Sequence, residues 1–142
     1  MLVTWCNSLP PPFEVPEAAK PAKVPREIEN TEQLYLSGLH LEQYRHATYD
    51  PMEYYTEAIK REPGDVRNNN AIGLWFLKRG QFKKSIPYFD RAIETLTERN
   101  PNPIDSEAYF NKGMAHRYLG MYQEAYNAFY KACWNAAWQD AG

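Results

Sequence analysis

A chain of 142 residues with 44% hydrophobic and 24% charged side chains fits one packed domain and is incompatible with wholesale disorder. Its mean hydropathy of -0.70, with no apolar run near the ~18 residues that a spanning helix needs, excludes a transmembrane helix. Sixteen basic against 18 acidic residues leave a net charge of -2, which gives no electrostatic case for nucleic acid or an anionic membrane as partner.

Proline divides the chain. Six of the 11 prolines (Pro10, Pro11, Pro12, Pro16, Pro21 and Pro25) fall in the first 25 residues, where fixed φ and missing N–H groups forbid a long helix or a central strand. Residues 1–30 are therefore expected to form an extended, partly polyproline-II arm or linker. Its apolar residues Trp5, Phe13, Val15 and Val24 predict that the arm lies on something. The opening MLVTWCNSLPPP has neither a basic stretch nor a long apolar one, so no signal peptide is expected. Cys6 and Cys133 make no disulfide scaffold, and free thiols fit a cytoplasmic location.

From Asn30 onward the period becomes 3.6. A helix is predicted over 32–46, with Leu34, Leu36, Leu39 and Leu41 inward. Asp50, Pro51 and Glu53 mark the start of a second helix that Pro63-Gly64 stops. Asp65 caps a third, carrying Ala71, Leu74, Trp75 and Leu77 and ended by Gly80. A fourth covers about 82–97 and breaks at Asn100-Pro101-Asn102-Pro103. Asp105 caps a fifth, closed by Gly120, and a sixth runs from about Tyr122 to Trp138. No segment alternates with period 2, so no sheet is expected.

Aligned helix pairs repeat. Asn69-x2-Ile72-Gly73-x2-Phe76-x8-Ser85-x3-Phe89-x2-Ala92 returns as Tyr109-x2-Lys112-Gly113-x2-His116-x8-Ala125-x3-Phe129-x2-Ala132. The earlier pair reads Leu34-x2-Ser37-Gly38-x2-Leu41, followed by Pro51-x3-Tyr55-x2-Ala58-x4-Pro63. Glycine inside a helix costs about 1 kcal/mol relative to alanine, so its recurrence at 38, 73 and 113 predicts a close approach of the paired helix. Tyr55, Phe89 and Phe129 are the large side chains that would fill the space. This pattern resembles the tetratricopeptide repeat, a helix–turn–helix unit, over residues 31–142. The resemblance implies an all-α, right-handed α-solenoid of three repeats, at about 31–65, 66–105 and 106–142, preceded by the proline-rich arm. Three features depart from the family pattern. The turn His46-Ala47-Thr48-Tyr49 lacks glycine, Lys112 takes a place that is usually apolar, and His116 takes one that is usually aromatic.

The strings GLHLEQYRHATYDP, NNAIGLWFLKRGQF, RNPNP and AFYKACWNAAWQDAG also look like the repeat region of large uncharacterised bacterial proteins. In those, a β-rich domain of unknown function, with a suspected link to carbohydrate metabolism, lies upstream. That likeness implies a structural or assembly segment that positions or pairs such a domain, with any catalytic residues outside these 142.

The sequence holds no phosphate-binding glycine loop, no HExxH and no CxxC, so no metal, cofactor or catalytic centre is expected. His40 and His46 are six apart and fall on different helical faces. His116 reads as a packed histidine and Cys133 as a buried, inert thiol. The run Lys78-Arg79-Gly80-Gln81-Phe82-Lys83-Lys84 reads first as a solvated turn with cations near a helix C-terminus.

Function is expected on the concave face, which the first helices of a tetratricopeptide stack line. Helical spacing gives Tyr35, Leu39 and Gln43 from the first unit. It gives Asn70, Leu74 and Lys78, with Arg67, from the second, and Phe110, Asn111, Met114, Arg117 and Tyr118 from the third. With Tyr35 and Leu39 where the family's carboxylate-clamping version carries Lys and Asn, that clamp looks absent. The expected partner is a protein or peptide segment bound without catalysis, although the same residues would also serve to pack against a following element. Trp134 and Trp138 crowd the last predicted helix with apolar surface. They are expected to be covered by a further repeat, by a second copy of the chain, or by the arm.

Overall fold

The computed structural model describes residues 15, 17, 18, 20–45, 48–98 and 105–133. Among them are six α-helices, α1 (Thr31–Tyr44), α2 (Pro51–Arg61), α3 (Val66–Lys78), α4 (Phe82–Thr97), α5 (Glu107–Tyr118) and α6 (Tyr122–Ala132), and no strand. A 3-10 turn, Pro25–Glu27, precedes α1.

Local chemistry sets most helix starts. The Oδ1 atoms of Asn30 and Asp65 accept the N–H groups of Gln33 and Asn68 at 2.7 and 2.8 Å. That of Asp50 accepts from Met52 at 2.9 Å, directly before Pro51. Each supplies an acceptor for an otherwise orphaned donor of the first turn. The start of α5 differs from the expected Asp105 cap. Ser106 holds the cap position and donates its hydroxyl to the carbonyl of Ala132 at 3.2 Å. The Asp105 carboxylate still accepts from Glu107 N–H at 3.1 Å.

The α3–α4 and α5–α6 turns are the same turn. Gly80 and Gly120 have φ of +74° and +77°, the left-handed conformation in which glycine pays no steric penalty. Gln81 N–H bonds Phe76 O, and Met121 N–H bonds His116 O, both at 2.9 Å. The α1–α2 connection lacks a glycine, and Arg45 takes the left-handed role with φ 48°.

Each helix packs on its successor, and α1, α3 and α5 also touch one another in order. The repeated glycines explain how the pairs close. A Cβ on Gly38 would lie 2.6 Å from the Tyr55 ring, on Gly73 2.5 Å from Phe89, and on Gly113 2.7 Å from Phe129. The rings of Tyr55 and Phe89 are fully buried. The architecture is thus an all-α helical repeat.

Three sequence expectations need correction. Leu36 is 52% exposed, because it stands about 200° around the helix from Leu34, off the stripe that Leu34, Gly38 and Leu41 bury. Val24 is likewise exposed, and Ile28 is the arm's buried anchor, packed with Leu34, Leu41, Tyr54 and Ala58. Cys133 is half-buried rather than buried. Trp5, Phe13, Cys6, His46 and the stretch Trp134–Trp138 lie outside the described residues.

The arm is tied to α2 through its backbone. The Arg61 guanidinium donates to the carbonyls of Ile28, Glu29, Pro25 and Arg26. Tyr54 Oη donates to Lys23 O at 2.8 Å.

Candidate functional site

The face shared by α1, α3 and the start of α5 encloses a cleft of about 690 Å³, within the ordinary range for ligand sites. The 3.6-residue period produces it. With Leu34 and Gly38 of α1 buried, Tyr35, Leu39, Leu41, Glu42 and Gln43 are left to line the cleft. From α3 the same logic presents Arg67, Asn70, Leu74 and Lys78, one turn apart.

The cleft floor carries a bonded relay across three helices. Tyr55 Oη on α2 donates to Glu42 Oε2 on α1 at 3.1 Å. Glu42 Oε1 pairs with Lys78 Nζ on α3 at 2.9 Å. Burial, and then the Glu42 carboxylate, push the Tyr55 phenol far above its ordinary range, so it stays a donor at any physiological pH. The Tyr35 ring is tilted on Tyr55 at 6.3 Å. Its phenol is raised by burial and then by the nearby Glu107 carboxylate.

Arg67 pairs with Glu32 at 3.0 Å on an exposed edge. At the other end the Arg79 guanidinium sits 3.2 Å from the centre of the Trp75 ring, a cation–π contact that fixes a flat aromatic wall. Four cations line the cleft (Arg45, Arg67, Lys78 and Arg79) against three acids (Glu42, Asp105 and Glu107). The cleft is therefore amphipathic and not strongly charged.

Of the expected groove residues, Tyr35, Leu39, Gln43, Asn70, Leu74 and Lys78 line this cleft. Phe110, Asn111, Met114, Arg117 and Tyr118 are not among its lining. Phe110 leans on Phe129 at 5.6 Å. Asn111 is buried and donates to Asn70 Oδ1 at 3.0 Å, so it orients a cleft residue from behind. Tyr118 stacks on Phe82 of α4 at 4.8 Å. Sequence reasoning missed Glu42, Trp75 and Arg79. Glu42 stands one turn from Leu39, and Trp75 and Arg79 are an i, i+4 pair, so helical spacing held the signal. No described arm residue lines the cleft.

Among the described residues no group of His, Cys, Asp and Glu is placed to hold a metal ion, and no helix is long and apolar enough to cross a membrane. His40 stacks on Tyr44 at 4.5 Å. His116 is buried with its Nδ1 making no hydrogen bond. Lys112, at a place usually apolar, pairs with Asp90 at 2.6 Å.

The chain is 40% identical over 75 residues to an uncharacterized protein of Methanocaldococcus jannaschii, a match that covers 53% of this chain and 76% of that relative. A family model described as tetratricopeptide repeat matches residues 66–133. With that match spanning α3–α6 and the same glycine-notched helix pairing in α1 and α2, the chain belongs to the tetratricopeptide-repeat family.

Proposed function

We propose that the chain is a non-enzymatic docking module that holds a peptide segment of a partner protein in the cleft between α1, α3 and the start of α5. Tetratricopeptide repeats generally mediate protein–protein interaction and are typically non-catalytic. The observation that carries the finer reading is the cleft lining. Leu39, Leu74, Tyr35 and Trp75 offer apolar surface, while Gln43, Asn70 and the Lys78–Glu42 pair offer hydrogen bonds. That mixture fits a peptide with one or two apolar anchors and a bonded backbone.

The test is selection of a displayed random-peptide library on the full chain. Wild-type protein should enrich sequences with a common apolar anchor. Leu74→Asp should lose the enrichment with helicity unchanged by circular dichroism, because a carboxylate would then sit where an apolar side chain docks. No enrichment by wild type, or equal enrichment by Leu74→Asp, rejects the cleft as the site.

A further inference from the structure

The cleft lining is nearly balanced in charge, but its charges are sorted along its length. The three helices that form it run the same way. Glu32 and Arg67 pair at the starts of α1 and α3, and Glu42 and Lys78 pair near their ends. Asn70 and Asn111, each the fifth residue of its helix, join α3 to α5. At the C-terminal end of α1 and α3, the cations Arg45, Lys78 and Arg79 meet one lining acid, Glu42, whose oxygens are already held by Lys78 and Tyr55. At the N-terminal end Arg67 is matched by Glu32, and Asp105 and Glu107 remain. Arg45, Arg79, Asp105 and Glu107 make no ion pair among the described residues.

Helix termini by themselves favour cations at the C-terminal end and acids at the N-terminal end, yet that preference does not use these groups up. Arg79 donates from Nη1 to Trp75 O at 3.2 Å, with its guanidinium over the Trp75 ring. Its Nε–Nη2 edge, which a carboxylate engages side-on through two parallel hydrogen bonds, makes no hydrogen bond among the described residues. At the other end Glu107 stands close enough to the Tyr35 phenol to raise it, second only to burial. Midway between the two ends lie Leu39 and Leu74, each the ninth residue of its helix.

We propose that the docked segment is extended and charge-polarised. An acidic side chain takes the Nε–Nη2 edge of Arg79 in the field of Arg45, an apolar side chain docks between Leu39 and Leu74, and a basic side chain meets Glu107 and Asp105. Glu32 and Glu42 mark the two ends on α1 and stand ten residues apart. That spacing is ~15 Å at the helical rise, and an extended chain covers it in about five residues. The proposal rests on the reading of the cleft as a peptide site and adds which peptides it accepts. The two charged ends fix the register of the segment and reject the opposite charge order, since like charges would then face each other at both ends.

Charge reversal tests it on the full chain. Peptides that wild type enriches from the displayed random library should carry an acid and a base about five residues apart, in one constant order, on either side of the apolar anchor. A synthetic copy of one enriched peptide is then followed by fluorescence anisotropy. Arg79→Glu should weaken its binding at least about tenfold, and replacing the peptide's acid with lysine should restore binding to that variant. Glu107→Lys should act in the same way on the peptide's base. Arg79→Gln, with helicity checked by circular dichroism, guards against misfolding and should remove the selection for an acid. Enrichment of an apolar anchor without the charge order, or charge-reversed peptides that bind the variants no better, overturns this inference and leaves the docking reading standing. No enrichment by wild type overturns both.

Discussion

The Phe89 ring stands so close to Gly73 that a methyl group added there would lie 2.5 Å from Cε1 and 2.8 Å from both Cδ1 and Cζ. Three ring atoms crowd one point, and the ring is fully buried, so it has nowhere to swing. Gly73→Ala gains about 1 kcal/mol of helix propensity but forces overpacking of about 1–3 kcal/mol. The expected result is a net loss of about 1 kcal/mol, and at most about 2, by urea titration, read also as a melting point lower by roughly 5 °C. Gly73→Ala combined with Phe89→Leu should recover part of that loss, because the smaller side chain vacates the notch. A stabilised single variant would show that the close approach is not what holds glycine at this place.

The arm yields a second prediction. Arg61 donates to four carbonyls of residues 25–29 and pairs with Glu57 at 3.1 Å. A planar guanidinium serves several acceptors at once, which an ammonium does not reproduce. Arg61→Ala should cost about 1–2 kcal/mol and speed amide exchange at Glu27 and Ile28, whose N–H groups close the 3-10 turn. Arg61→Lys should restore only part of the protection. Unchanged exchange in Arg61→Ala would mean that Ile28 alone anchors the arm.

His116 gives the fold a pH dependence. Burial lowers its imidazole below the ordinary range, Lys112 lowers it further, and Glu124 and Asp90 oppose the shift. The folded chain thus prefers the neutral ring, whereas the unfolded chain takes up a proton near pH ~6.5. Stability is whole above that value and declines as pH falls from there toward the lowered folded pKa. His116→Phe, which supplies the aromatic ring usual at this place, should remove that part of the decline. Urea midpoints at about pH 7.5 and about pH 5 should differ more for wild type than for the variant, and parallel behaviour would refute it.

The starts of α2 and α3 were legible because their signals are local, and Asp50 and Asp65 cap the helices that follow them. The notch was legible because Gly and a large ring return in register. Leu36 was misplaced because composition drew it inward while the helical angle turned it out. The cleft was half legible for a similar reason. Spacing finds the face of α1 and α3, but only packing reveals that Tyr118 is drawn to Phe82 and Phe110 to Phe129. The Ser106 bond to Ala132 spans 26 residues and has no local signature.

The relay beneath the cleft yields the last prediction. Tyr55 and Lys78 do not bond each other, yet both hold Glu42, one oxygen each. Lys78 is 61% exposed, so its ion pair alone contributes little. Tyr55→Phe keeps the ring in the Gly38 notch and takes the side chain that stands at the equivalent places 89 and 129, so it should fold normally and lose about 1 kcal/mol. Lys78→Met should lose less. The double variant should depart from additivity by about 0.5–1 kcal/mol, because each single change frees Glu42 to lean on its remaining partner. Additive losses would mean that Glu42 is held by one partner only and that α1, α2 and α3 are not joined through it. A measured coupling would instead make the cleft floor a rigid tripod, with the Lys78 ammonium fixed beside Leu74 where an incoming peptide would meet both.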